Sequence, residues 1–180
     1  MFDNTAAPLH TILESLLPSL DLRIAILGIG NELNGDDAAG VLAVRGLRMA
    51  LDASGGSYTD RVLIIEAGPS PESFGGPLRR FRPELVLFVD AAELNEPPGS
   101  VAWVDWAGAQ GMSASTHTMP PTLFARYLVE EIGCRVILVG IQPVHLDFDR
   151  PVSPEVRAAV DALVGELAEK LLPGHTKNER

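Results

Sequence analysis

The chain has 180 residues, 46% apolar and 21% charged, a composition that suits one globular domain with a sizeable core rather than a disordered chain. Its 14 Lys and Arg against 24 Asp and Glu leave a formal charge of −10, which argues against a nucleic-acid partner because phosphate contacts need clustered cations. Cys134 is the only cysteine, so an internal disulfide and a thiolate-rich zinc site are both ruled out.

Residues 1–20 read as an N-terminal extension, in which Leu9, Ile12, Leu13, Leu16 and Leu17 form one stripe of an amphipathic helix ended near Pro18. No basic segment precedes a long apolar run there, and no apolar run elsewhere reaches membrane-spanning length. A cytoplasmic protein without membrane contact is expected. Residues 21–173 alternate short apolar runs with helical stripes. Leu22–Leu27, Val62–Glu66, Leu85–Asp90, Val101–Asp105 and Arg135–Ile141 read as strands, branched and nearly continuously apolar, as in a sheet buried on both faces. Val41, Val44, Leu47 and Leu51 predict a helix after the first strand, and Leu123, Tyr127, Leu128 and Ile132 predict one before the last. Arg79, Arg80 and Arg82, beside Pro83, fit a solvated loop or helix end. The closing helix has Ser153 as N-cap, Pro154 at its first position and Glu155 complementing the dipole. Its stripe is Val156, Val160, Leu163, Leu167 and Leu171, and Pro173-Gly174 stops it. Residues 174–180 read as a flexible tail. Strand–helix alternation without a linker or repeat predicts a single-domain three-layer α/β/α sandwich around a mainly parallel twisted sheet.

Ligands of such sheets bind beyond the carboxyl ends of the strands, so the residues there carry the functional argument. The stretch "ILGIGNELNGDDAAG" at residues 26–40 is not a dinucleotide loop: the third glycine of G-x-G-x-x-G falls on Leu33, and no G-K-[ST] follows. Gly28, Gly30 and Gly35 shape the turn. One of Asp36 and Asp37 suffices to cap the helix, which leaves a second carboxylate for the crevice. Asp90 emerges from "LVLFVDAAEL" where the third strand leaves the core. Glu66 holds the equivalent place one strand earlier, either facing a substrate or satisfying amides of the Gly-Pro loop that follows it. In "SASTHTMPPTLF", His117 lies in a Ser/Thr-rich loop before a helix. Asp37, Asp90 and His117 can converge into a mixed oxygen and nitrogen set suited to a divalent transition ion with open positions. The competing set is "VHLDFDR", where His145, Asp147 and Asp149 alternate. The same alternation describes an exposed edge, which is the favoured reading.

"GIGNELNGDDAAG", "FVDAAEL", "THTMP" and "LVGIQP", in this order and spacing, resemble the endopeptidases that mature [NiFe] hydrogenases, closest to the subgroup serving formate-hydrogenlyase-type enzymes. The resemblance runs from about Leu22 to Leu172. It implies proteolysis of a C-terminal extension from a hydrogenase large-subunit precursor after nickel insertion, with Asp37, Asp90 and His117 as the metal-contacting residues. Many relatives carry Glu where Asp37 stands. The nickel is then presented by the precursor, no organic cofactor is needed, and the enzyme acts as a monomer. Asp36 caps the helix, and Cys134, at the opposite edge from the site, is no nucleophile. G-x-S-x-G is absent, so a serine elbow is not expected. Two further readings compete: a non-catalytic metal- or nucleotide-binding module on a Rossmann-like sheet, and a free-standing metallohydrolase with its own ion.

Overall fold

The structure is a computed structural model, and it describes residues 22–55, 58, 60–105 and 120–172. The expected N-terminal helix, the C-terminal tail and the Pro173-Gly174 stop lie outside those residues, as does His117.

Five strands form one sheet: β1 (Ile24–Ile29), β2 (Val62–Gly68), β3 (Leu85–Ala91), β4 (Val101–Asp105) and β5 (Arg135–Ile141). Their spatial order is β2-β1-β3-β5-β4. The first four in that order are parallel, and β4 closes the edge antiparallel to β5. Four helices among the described residues complete the sandwich: α1 (Ala39–Ala53), α2 (Gly75–Phe81), α3 (Pro121–Ile132) and α4 (Pro154–Leu171).

Period-two alternation along each strand sorts its side chains between two cores. Ile24, Ile26, Leu85, Leu87, Val89, Ile137 and Val139 face α1 and α4, where Val44, Leu47, Val160 and Leu163 are buried. Ala25, Leu27, Val86, Phe88, Val136 and Leu138 face α2 and α3, against Leu78, Phe124, Ala125 and Leu128. This two-sided burial is why the strands read as unbroken apolar runs.

Strand ends and one helical stripe differ from the sequence reading. β1 runs two residues further than expected, to Ile29, because Gly28 is a strand residue paired with both Glu66 and Val89 rather than part of the turn. The buried stripe of α3 is Pro121, Phe124, Ala125 and Leu128, while Leu123 is 51% exposed. In α2, which follows a 3-10 turn at Pro71–Phe74, Arg79 and Arg80 occupy the last turn and Arg82 the left-handed C-cap, as expected for a helix end. The closing helix agrees with its capping signals: Ser153 Oγ accepts from Val156 N at 3.4 Å.

Candidate active site at the carboxyl edge of the sheet

Between β1 and α1 the chain forms a loop and a 3-10 turn, Gly35–Ala38, in which Asp36 and Asp37 are both fully buried. Two buried acids side by side are costly unless each finds donors or a cation. Their environments differ, and the difference separates their roles.

Asp36 is consumed by the scaffold. Its Oδ1 accepts from Ser153 N at 2.6 Å, and its Oδ2 accepts from Val144 N at 2.8 Å, His145 N at 3.3 Å and Ser153 Oγ at 3.0 Å. Burial alone would raise this carboxyl, but the bonds from Ser153, Val144 and His145 together outweigh it and hold the group below the ordinary aspartate value. The expectation that Asp36 caps the helix is therefore corrected. The residue at the cap position of the turn is Asn34, no side chain caps there, and Asp36 instead pins the β5–α4 loop from Val144 to Ser153. Sequence alone could not reveal this, because the partners lie more than 100 residues away.

Asp37, the next residue of the same turn, turns its carboxylate towards its own loop. Its Oδ2 accepts from Asn31 N at 2.9 Å, folding the loop back on itself. The turn is pressed onto the sheet by glycines: a Cβ on Gly40 would lie 2.1 Å from the Val89 carbonyl oxygen and 2.3 Å from that of Ile29. Gly30, at φ 124°, lets the chain pass directly over the Asp37 carbonyl. Since Asp90 follows Val89, the start of α1 and the acid of β3 are brought to the same edge. Asp90, 7% exposed, is opposite Gly140 of β5 and lines a small pocket with Ile29, Phe88, Pro121, Thr122 and Leu138. The wall around this carboxylate is apolar, which strengthens its attraction to a cation.

Glu66 serves neither expected purpose. It accepts from Arg48 Nη1 at 2.6 Å and from Arg45 Nε and Nη2 at 3.2 and 3.0 Å, and Arg45 also donates to Glu32 at 2.8 and 3.0 Å. The hydrogen bonds from Arg45 hold Glu32 below its usual range. This network ties the Asn31–Asn34 loop to α1 and β2. It is partly exposed, so each pair is worth about 1 kcal/mol or less.

The competing set does not assemble. Residues 143–150 form a loop in which Asp147 and Asp149 are exposed, and the His145 ring packs over Gly35. Among the described residues no group of three or more His, Cys, Asp or Glu side chains is gathered closely enough to hold a metal. Cys134 is buried, its thiol donates to Leu128 O at 3.7 Å, and burial raises its pKa. It precedes the amino end of β5, the far edge from Asp90. No helix among the described residues is long and apolar enough to cross a membrane.

Known proteins share this fold. The family model HycI, hydrogenase maturation protease, matches residues 48–170. A Methanocaldococcus jannaschii relative is 35% identical over 148 residues, 82% of this chain and 87% of its own. The hydrogenase 3 maturation protease of Escherichia coli K12 is 32% identical, covering 79% of this chain and 86% of itself. The crystal structure of the [NiFe] hydrogenase maturation protease HycI from Thermococcus kodakarensis superposes with a TM-score of 0.79 at 34% identity, over 89% of this chain and 98% of that one. The solved relative thus has this fold over nearly its whole length, and the chain belongs to the hydrogenase maturation protease family of endopeptidases.

Proposed function

We propose that this endopeptidase removes a C-terminal extension from a [NiFe] hydrogenase large-subunit precursor, and that Asp37, Asp90 and His117 engage nickel which the precursor brings with it. The observation that carries the site assignment is the burial of Asp37 and Asp90 at one edge of the sheet, on segments packed together through Gly40. His117 stands four positions before Pro121, which lines the same pocket as Asp90. Two carboxylates and an imidazole suit a divalent transition ion of borderline softness and leave coordination positions for the substrate. An ion held there can polarise the scissile carbonyl or activate a water.

The chain's own contribution is positional. Asn31 N fixes one Asp37 oxygen, the Arg45 network holds the loop that carries Asn31, and Asp36 locks that turn to the start of α4. The nucleotide-binding alternative fits poorly, since two buried acids occupy the place where a pyrophosphate would sit against a helix start. The protein then works as a monomer in the cytoplasm without an organic cofactor.

Nickel titration separates the two histidines. His117→Ala should weaken nickel binding by about ten-fold or more, as expected for loss of a ligand, while His145→Ala should leave it near wild type. Equal losses in the two variants would contradict the ligand assignment.

A further inference from the structure

The "VHLDFDR" motif has a second property that the site does not use. Its apolar members, and not only its acids, are displayed to solvent. Val144 is 49% exposed, Leu146 41% and Phe148 72%, and Leu33, on the loop leading to Asp37, is 61% exposed. The two loops are zipped together: Asp149 N donates to Leu33 O at 2.8 Å, and Asp36 N donates to His145 O at 3.2 Å. Leaving such side chains in water forgoes the favourable free energy of burying them. The backbone that carries them is held at both ends, because the buried Asp36 carboxylate accepts from the N–H groups of Val144, His145 and Ser153 and Asp149 N bonds Leu33 O. A rigid display of four large apolar side chains is characteristic of a surface that another protein covers.

We propose that Leu33, Val144, Leu146 and Phe148 form the docking surface for the folded body of the large-subunit precursor, holding it while its C-terminal segment enters the crevice at Asp37. The identity of the occupant rests on the peptidase function proposed above and on continuity. Leu33 and Asp37 are four positions apart on one loop, which Asn31 N closes onto the Asp37 carboxylate, so this face adjoins the segment that carries Asp37. The neighbouring Asp147 and Asp149 are exposed acids on a chain of net charge −10, so the matching face of the precursor is apolar with a basic rim.

The test is binding of nickel-loaded precursor, encoded by the same genome, to wild type and to the double variant Leu33→Ser/Phe148→Ser, measured without reference to cleavage. A second double variant, Val144→Thr/Leu146→Gln, probes the same face from the other loop, and unchanged melting temperatures verify folding. Each should weaken binding by about ten-fold, as for truncation of an interface anchor. Wild-type affinity in both variants would overturn the docking surface, even if precursor is cleaved normally. A wild-type dimer that either variant dissociates would also overturn it, with a second copy as the occupant. If wild type binds precursor without ever cleaving it and the variants bind weakly, the docking surface stands and the peptidase assignment falls.

Discussion

At the scale of single residues, adjacent aspartates have been given opposite tasks by their surroundings. Asp36 accepts four hydrogen bonds from the β5–α4 loop and the cap of α4, so replacing it with Asn turns acceptor sites into donors that face N–H groups. Asp36→Asn should cost about 2–3 kcal/mol of stability, the range for leaving buried donors unsatisfied, as read by urea denaturation at neutral pH. The pH dependence follows from the sign of its shift. A carboxyl held below its ordinary value stabilises the fold above about pH 4 and loses that contribution as pH falls through the folded pKa. The variant should therefore lose less stability than wild type on acidification below about pH 4, and identical acid profiles would show that Asp36 is not the group responsible. The acid pair was legible in the sequence as a departure from phosphate-binding loops. Asp36 was expected to be structural, as a helix cap, but its actual partners were not legible, because hydrogen bonds across more than 100 residues leave no local pattern.

Elements were read more securely than their ends. Ser153, Pro154 and Glu155 announce α4 through local chemistry, and all five stripe residues of that helix are buried. Gly28 reads as a turn residue by type but is a strand residue by contact, since a Cβ there would meet the Gly40 carbonyl oxygen at 2.2 Å. Glycine in sequence signals either conformational freedom or close approach, and only the packing partner distinguishes them. Gly40→Ala should destabilise the protein by about 3 kcal/mol or more, because backbone on both sides must move. Gly165→Ala, on the exposed side of α4 with nothing within 4 Å, should instead stabilise by about 0.5–1 kcal/mol. Chemical denaturation of the two variants compares them, and a neutral Gly40→Ala would refute the close packing of α1 on β1 and β3. In α3 Leu128 is buried as expected and Tyr127 and Ile132 pack against the core, but Phe124 takes the place expected for Leu123, because "PPTLFARYL" offers both and only the sheet beneath selects the ring.

For the whole molecule, the alternation of strands and helices was sufficient to predict the three-layer sandwich, and the carboxyl-end rule led directly to Asp37 and Asp90. Strand order was not legible, because pairing between sequentially distant strands such as β1 and β3 is set by how two layers of helices fit. The same architecture serves nucleotide enzymes, which makes the loop chemistry decisive. With Leu33 in place of glycine and two buried acids behind it, the protein should not bind NAD or ATP at micromolar concentration, as measured by calorimetry. Saturable binding abolished by changing Gly30 would overturn that expectation.

The most direct test of the account is processing by Asp37→Asn. Asn keeps an oxygen that can accept from Asn31 N, so the loop should persist and the melting temperature should hardly change. An amide oxygen is a far weaker ligand than a carboxylate, so the metal-facing role is lost selectively. Nickel-loaded and nickel-free precursor are mixed with each enzyme, and loss of the C-terminal extension is followed on a gel. Wild type should cleave nickel-loaded precursor and leave nickel-free precursor intact, and Asp37→Asn should be slower by about 100-fold or more. Wild-type cleavage by Asp37→Asn, or equal cleavage of nickel-free precursor, would contradict the account.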